Sequence, residues 1–322
     1  MTSIASGARF VQQFQVRRKR TGLGRTLIAV YRRLGFGPLT SYRLARWSKI
    51  ALSPLDYLQR RVRARQLSGQ AALTVGKDDY LLFPEGAGPD LSELVAYCDS
   101  LFEKKREAVV SSGDVPAEVV RFVNDADGPS ALSPEEVAPI VRQVCRPDIV
   151  AMVADYIGEV PVLGNINLWY TPVNQQREGP QQIHRDMNAR RQLHLVVAIR
   201  DIDAGCGPFT FLPGGPSRRA VEVLGHTGGR VPDEDFWACV SEDDMVPFTG
   251  RAGAALLVNP YACFHFGGRA KTGSRLVLIV SFTSRFESAE EGAGAYRLRN
   301  RADLCDGTPL QSALLDLPVQ GR

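Results

Sequence analysis

The sequence predicts an α+β protein, a helical first half followed by an all-β sandwich or jelly roll. Three observations carry this. Apolar residues recur at helical spacing up to about residue 157. Beyond residue 160 the texture changes to short segments divided by Gly and Pro turn signals, over residues 162–170, 192–199, 209–212, 254–258 and 275–282. Within the second of these, Leu193, Leu195, Val197 and Ile199 alternate with His194, Val196 and Ala198, the period of two expected of a strand. At 322 residues and 44% hydrophobic, the chain can build one large domain or two small ones.

Residues 1–20 end in Arg17-Arg18-Lys19-Arg20 and show no period. From Leu23, a helical face carries Leu23, Leu27, Val30, Tyr31 and Leu34, and Gly35 with Gly37-Pro38 stops it. Thr40 and Ser41 are candidate caps for a second helix bearing Leu44, Trp47 and Ala51. Ser53-Pro54 reads as the N-cap and first-turn proline of a third. Its apolar stripe is Leu55, Leu58 and Val62, with Arg60, Arg61, Arg63 and Arg65 covering the rest. A short strand is expected over residues 78–83 and a helix over 90–110. Ser133-Pro134-Glu135-Glu136 is a capping box, and a helix over 147–157 ends at Gly158.

Charge divides the chain. Residues 1–66 hold fifteen Lys and Arg against one acid, Asp56, a net +14, and the remainder carries −10. A basic amphipathic helical arm (1–66) on an acidic body (67–322) is expected to meet something anionic. Two readings stay open: the helices lie on an anionic membrane surface, or their apolar faces pack on the body while the arginines are solvated. Nucleic acid is not expected, because the aromatics are not interleaved as a stacking platform. The six cysteines form no CxxC pair and read as free thiols of a reducing compartment. No apolar run reaches a bilayer-spanning length and the N-terminus lacks a secretion signal, so the expected location is cytoplasmic, with peripheral association at the inner face of the membrane as an extension. An arginine-rich targeting segment also fits the N-terminus.

The triplet His184-Arg185-Asp186 has three readings. A kinase catalytic loop needs Leu after the Asp and Asn five residues past it; Met187 and Arg191 stand there instead, and no Asp-Phe-Gly follows. A plain strand residue pair is the second. The third is a metal site: on extended backbone His184 and Asp186 face the same side and can chelate one ion. With one further histidine this becomes the two-His, one-carboxylate arrangement of non-haem Fe(II) oxygenases. His194, His226 and His265 remain. His265 stands just before an apolar strand that opens with Arg275, and a buried arginine there needs a carboxylate, which suggests 2-oxoglutarate. Ser281 shares the parity of Arg275 but lies far along the strand.

Residues from about 130 to 285 resemble the phytanoyl-CoA dioxygenase-like branch of the Fe(II)/2-oxoglutarate oxygenases. The resemblance rests on His184-x-Asp186, the segment Gly207-Pro208-Phe209-Thr210-Phe211-Leu212-Pro213-Gly214-Gly215, then His265-Phe266-Gly267-Gly268 and Arg275, in that order. It implies a double-stranded β-helix (a cupin-like jelly roll) over about 160–285, with helices packed outside. It also implies that His184, Asp186 and His265 hold iron and that Arg275 holds the 2-oxoglutarate carboxylate. Asp186 argues against a halogenase, which has a small residue in place of the carboxylate. Gly215-Pro216-Ser217-Arg218 departs from the family's Ser/Thr-His-Lys after the Leu-Pro-Gly. The resemblance places that segment near the substrate mouth, so the substrate class does not carry over.

The expected function is hydroxylation of an unactivated C–H bond of a small molecule, with a lipid or glycolipid favoured by the arm. Asn167 and Trp169 share a strand face and are candidate pocket residues. His194 is expected to be structural, His226 a loop residue, and Arg185, Arg190, Arg191, Arg218 and Arg219 solvated. Two alternatives are a non-catalytic relative that binds a lipid or a partner protein, and an iron-dependent isomerase or epoxidase on the same scaffold. Arg275 argues against the latter.

Overall fold

The computed structural model describes residues 23–36, 38–83, 88–111, 120–123, 131–173, 181–187, 189–287 and 301–317. Three helices come first: α1 (Leu23–Arg33), α2 (Pro38–Leu52) and α3 (Pro54–Ser68). After β1 (Tyr80–Leu82) come α4 (Ser92–Ser111), β2 (Val120–Val123), α5 (Pro134–Val144) and α6 (Pro147–Ile157). The capping box at Ser133 is complete: its hydroxyl accepts from the Glu136 amide, and the Glu136 side chain accepts from the Ser133 amide. Gly158 ends α6 in the left-handed conformation. Helix α2 begins two residues earlier than the cap signal at Thr40 implied, because Pro38 itself takes a first-turn place.

Nine further strands follow: β3 (Val162–Thr171), β4 (Ile183–His184), β5 (Gln192–Ala198), β6 (Phe209–Phe211), β7 (Arg230–Val231), β8 (Val246–Pro247), β9 (Ala255–Val258), β10 (His265–Gly267) and β11 (Arg275–Thr283). They form two antiparallel sheets, in the orders β1-β9-β5-β11-β3-β2 and β7-β4-β10-β6-β8. Helices α7 (Gly214–Leu224), α8 (Asp233–Trp237) and α9 (Pro309–Leu314) complete the described α-helices.

The period of two sorts the large sheet's side chains. Leu193, Leu195 and Val197 of β5 and Leu276, Leu278, Val280 and Phe282 of β11 join Ile149, Val150 and Val153 of α6 in one cluster. Burying a side chain such as Leu278 or Phe282 contributes about 2 kcal/mol. The alternate residues, Val196, Ala198, Leu256, Val258 and Val277, cluster instead with Phe209 and Phe211 of the small sheet. The two sheets therefore face each other. Behind the small sheet, Ile183 and Leu212 pack with Ala220 of α7 and Phe236 of α8. The layering is helix, sheet, sheet, helix.

Helix α7 corrects one expectation. The segment 215–218 was expected to be a loop; it lies in a helix that opens at Gly214 and whose Ala220 packs on the outer side of the small sheet. Gly214 is required because a Cβ there would stand 2.0 Å from the Asp79 carboxylate. Ser217 is fully buried: its hydroxyl donates to the Leu212 carbonyl at 2.8 Å and accepts from the Phe264 amide at 3.0 Å. Arg218 pairs with Asp79 at 2.9 Å.

Helix α3 faces the opposite way from a packed amphipathic helix. Arg60 is 6% exposed and donates to the carbonyls of Val160 at 3.0 Å and Ala313 at 2.9 Å, with Asp56 at 3.1 Å. Leu55, Leu58 and Val62 are exposed. No helix among the described residues is long and apolar enough to cross a membrane.

Candidate functional site

Three side chains converge where the small sheet meets the interior. The pairing of β10 with β4 sets His265 directly across from His184, with ring centroids 4.4 Å apart. Asp186, two residues on, brings a carboxylate oxygen to 3.7 Å from His184 Nε2. One ligand atom from each of His184, Asp186 and His265 falls within 4.8 Å of the others. The cluster fits an iron site in its donor set of two imidazole nitrogens and a carboxylate.

Backbone contacts fix these side chains. His184 Nδ1 lies 2.7 Å from the Gln182 carbonyl and His265 Nδ1 lies 3.0 Å from the Cys263 carbonyl. Each Nδ1–H therefore donates to main chain, which leaves each Nε2 lone pair for a metal. Burial, followed by the neighbouring His184, lowers the His265 pKa to about 3, so this ring is neutral at pH 7. The Asp186 amide donates to the Pro260 carbonyl at 2.8 Å, and its own carbonyl accepts from Gln192 Nε2 at 3.1 Å. The first pins the His-x-Asp segment to the loop that leads into His265. Within that loop Asn259 holds the turn through its side-chain oxygen, which accepts from the Tyr261 amide at 2.9 Å, while its Nδ2 donates to Tyr156 Oη at 2.8 Å.

Arg275 opens β11 and is 4% exposed. One terminal nitrogen donates to the Gly207 carbonyl and the other to Thr171 Oγ1 at 3.2 Å, while Nε has no partner among the described residues. Burial lowers its pKa to about 10. Among the described residues no carboxylate stands against it. A buried guanidinium with a free donor and no counter-charge is a ready carboxylate site. Gly207 makes the arrangement fit. Its φ is 65°, and a Cβ there would stand 2.5 Å from the Ala270 amide nitrogen. Phe209 links the two ends of the site, with its ring 5.3 Å from that of His265 and its chain two residues from the carbonyl that Arg275 meets.

Asn167 and Trp169 lie on β3, on the same face as Asn165 and Thr171. Asn167 is buried, and its Oδ1 has no partner among the described residues. Trp169 packs against the inter-sheet cluster. Ser281 lies at the far end of β11 from Arg275 and donates to Asn165 Oδ1 at 2.8 Å, so it is occupied elsewhere.

His194, expected to be structural, stands outside the three-residue cluster but close to it. It does face away from Leu193 and Leu195, and that direction is the inside: its Nε2 lies 3.8 Å from Asp186 Oδ2, the oxygen turned away from His184. Burial lowers its pKa against the pull of Asp186. The available signal was its parity with Val196 and Ala198, once the inner face was known. Arg185, expected to be solvated, points to the other side of β4. It donates to the Tyr261 carbonyl at 3.0 Å and lies 5.3 Å from the ring centres of Tyr261 and Phe264. A second nitrogen approaches His226 Nδ1 at 3.4 Å, and His226 Nε2 donates to the Gly229 carbonyl at 3.1 Å.

No protein-family model matches the sequence, and no curated protein matches it. Solved structures do. The chain is similar to the non-heme alpha-ketoglutarate-dependent carbocyclase SnoK from nogalamycin biosynthesis, at 16% identity, TM-score 0.46, over 69% of this chain and 85% of that one. EctD from S. alaskensis, solved with 2-oxoglutarate and 5-hydroxyectoine, matches at 16% identity and TM-score 0.45, over 66% and 77%. HygX from Streptomyces hygroscopicus, solved with nickel and 2-oxoglutarate, matches at 14% identity and TM-score 0.43, over 66% and 89%.

Proposed function

We propose that the protein is an Fe(II)- and 2-oxoglutarate-dependent oxygenase on a double-stranded β-helix frame, hydroxylating an unactivated C–H bond of a small molecule. The observation that carries the reading is Arg275, a buried cation without a carboxylate partner among the described residues, in the same inter-sheet space as the His184–Asp186–His265 cluster.

His184 Nε2, His265 Nε2 and one Asp186 oxygen would hold the iron. When bound, the iron and 2-oxoglutarate supply the oxidising power, as dioxygen is consumed and the oxo acid leaves as succinate and carbon dioxide. The chain's own residues do the rest. Arg275 and the Thr171 hydroxyl bind the far carboxylate of 2-oxoglutarate and so set its direction. The carbonyls of Gln182 and Cys263 keep both imidazoles in one tautomer. His194 stands against the second oxygen of Asp186 and orients the carboxylate. Asn167 offers an amide to the pocket, and Val196, Val277, Phe209 and Phe211 form an apolar wall that excludes water.

The test is an anaerobic titration of the Fe(II)-loaded protein with 2-oxoglutarate, followed by the visible charge-transfer band of the chelate. The band is expected in the wild type, at higher 2-oxoglutarate in Arg275→Ala, and not at all in His184→Ala. Iron binding without a band would point instead to an iron-dependent isomerase or epoxidase. Failure to bind iron would point to a non-catalytic relative.

A further inference from the structure

We infer that helices α2 and α3 form a docking surface for an anionic lipid membrane. Helix α3 buries its polar side and exposes its apolar one. Arg60 and Ala64 are turned into the body, while Leu55 (67% exposed), Leu58 and Val62 lie along the outward stripe at positions i, i+3 and i+7. The end of α2 adds exposed Leu52 and Trp47, the latter 60% exposed and joined to α3 through Arg46, which stands over the rings of both Trp47 and Tyr57. Van der Waals packing within the protein does not account for such a run of large side chains in water; contiguous exposed apolar surface of this kind marks a partner.

Charge identifies the partner. Arg43, Arg61 and Arg65 are exposed on the same two helices, and neither they nor Arg63 form an ion pair with a described residue. The arm's one acid, Asp56, is tied inward between Arg60 and Arg285, at 3.1 Å from each. Arg46 stacks near Trp47 and Tyr57, at 5.4 and 5.8 Å from their ring centres, and pairs with Glu287 at 3.2 Å, which fixes the corner to the body. Exposed apolar residues on the same two helices as arginines that have no acidic partner among the described residues, with an exposed tryptophan, match acyl chains beneath anionic headgroups. A second copy would bring the same cationic face against itself in a symmetric dimer. A nucleic acid offers phosphates but nothing for leucine side chains to enter. The inference does not depend on the oxygenase reading.

The test is co-sedimentation of the full chain with vesicles of phosphatidylcholine alone and of phosphatidylcholine mixed with phosphatidylserine. Binding is expected to the mixed vesicles, to weaken with salt, and to fall about fivefold for each of Arg61→Gln and Arg65→Gln. The triple variant Leu55→Gln, Leu58→Gln, Val62→Gln keeps the charge and the melting temperature and is expected to lose binding by on the order of a hundredfold. A blue shift of tryptophan emission on vesicle addition, absent in Trp47→Phe, reads the same surface without disturbing α3. The inference is overturned if neither vesicle is bound, or if the folded triple variant binds like the wild type. It is equally overturned if the wild type is a dimer that the triple variant dissolves, or if duplex DNA is bound in preference to vesicles.

Discussion

Arg275 can be told apart from a structural arginine by what its removal does to the ligand-free protein. A guanidinium in a buried ion pair leaves an uncompensated carboxylate when it is removed, at a cost of about 3–5 kcal/mol. Arg275 has no such partner among the described residues, so Arg275→Met is expected to leave thermal stability unchanged or raised while weakening 2-oxoglutarate binding, as in Arg275→Ala. Arg275→Lys keeps the charge without the planar fork and is expected to raise the KM for 2-oxoglutarate on the order of ten- to a hundredfold. His194→Phe is expected to weaken Fe(II) affinity about ten- to a hundredfold, read by competition with a metal indicator, because it takes away the imidazole that stands beside the second oxygen of Asp186. At this scale the sequence was readable where chemistry follows spacing. His184 and Asp186 share one side of the chain, and Arg275 opens β11, because a period of two and the start of an apolar strand are local properties. His194 was read as structural rather than a ligand, and it stands outside the three-residue cluster; that it lies beside Asp186 was not legible, because that depends on which sheet face is enclosed, which only the pairing of distant strands decides.

Among the elements, α5 and α3 carry the measurable consequences. Ser133→Ala opens the capping box and is expected to cost about 1 kcal/mol in urea unfolding. Arg60→Ala leaves the carbonyls of Val160 and Ala313 without their donor and takes one of the arginines from Asp56 and from Asp316, and is expected to cost on the order of 3 kcal/mol, in contrast to neutral changes at Leu58. Helix α6 and the strands β3, β5, β9 and β11 are legible from sequence because each is long enough for a period to repeat. Strands β4, β7 and β8 are two residues long and carry no period, though β4 holds a candidate ligand. Helix α7 was hidden because Gly214-Gly215-Pro216 is turn punctuation in isolation; Asp79, far away in the chain, is what demands the glycine. Helix α3 was legible as amphipathic, but its orientation was not, since only the carbonyls of Val160 and Ala313 reveal that Arg60 is the buried side.

For the molecule as a whole, metal and protons are the two ligands that shift stability. Iron at a hundredfold excess over its Kd is expected to add about 2.7 kcal/mol, seen as a rise in melting temperature that Asp186→Ala lacks. His226 has a lowered pKa, first through burial and also through the Arg185 charge, against the Gly229 hydrogen bond. The unfolded chain then binds this proton more readily than the folded one. Its contribution is fully present above the ordinary histidine value and is lost as pH falls below it. The urea midpoint of the metal-free protein is therefore expected to fall below about pH 6.5, less steeply in His226→Gln. The inward tie of Asp56 has one more consequence at this scale. With its lone carboxylate shared by Arg60 and Arg285, the arm keeps exposed arginines such as Arg43, Arg61 and Arg65 without an acidic partner among the described residues, while residues 67–322 carry −10. The formal net charge of +4 therefore misdescribes how the protein behaves near a charged solid. At neutral pH and low salt it should adhere to both cation- and anion-exchange resins.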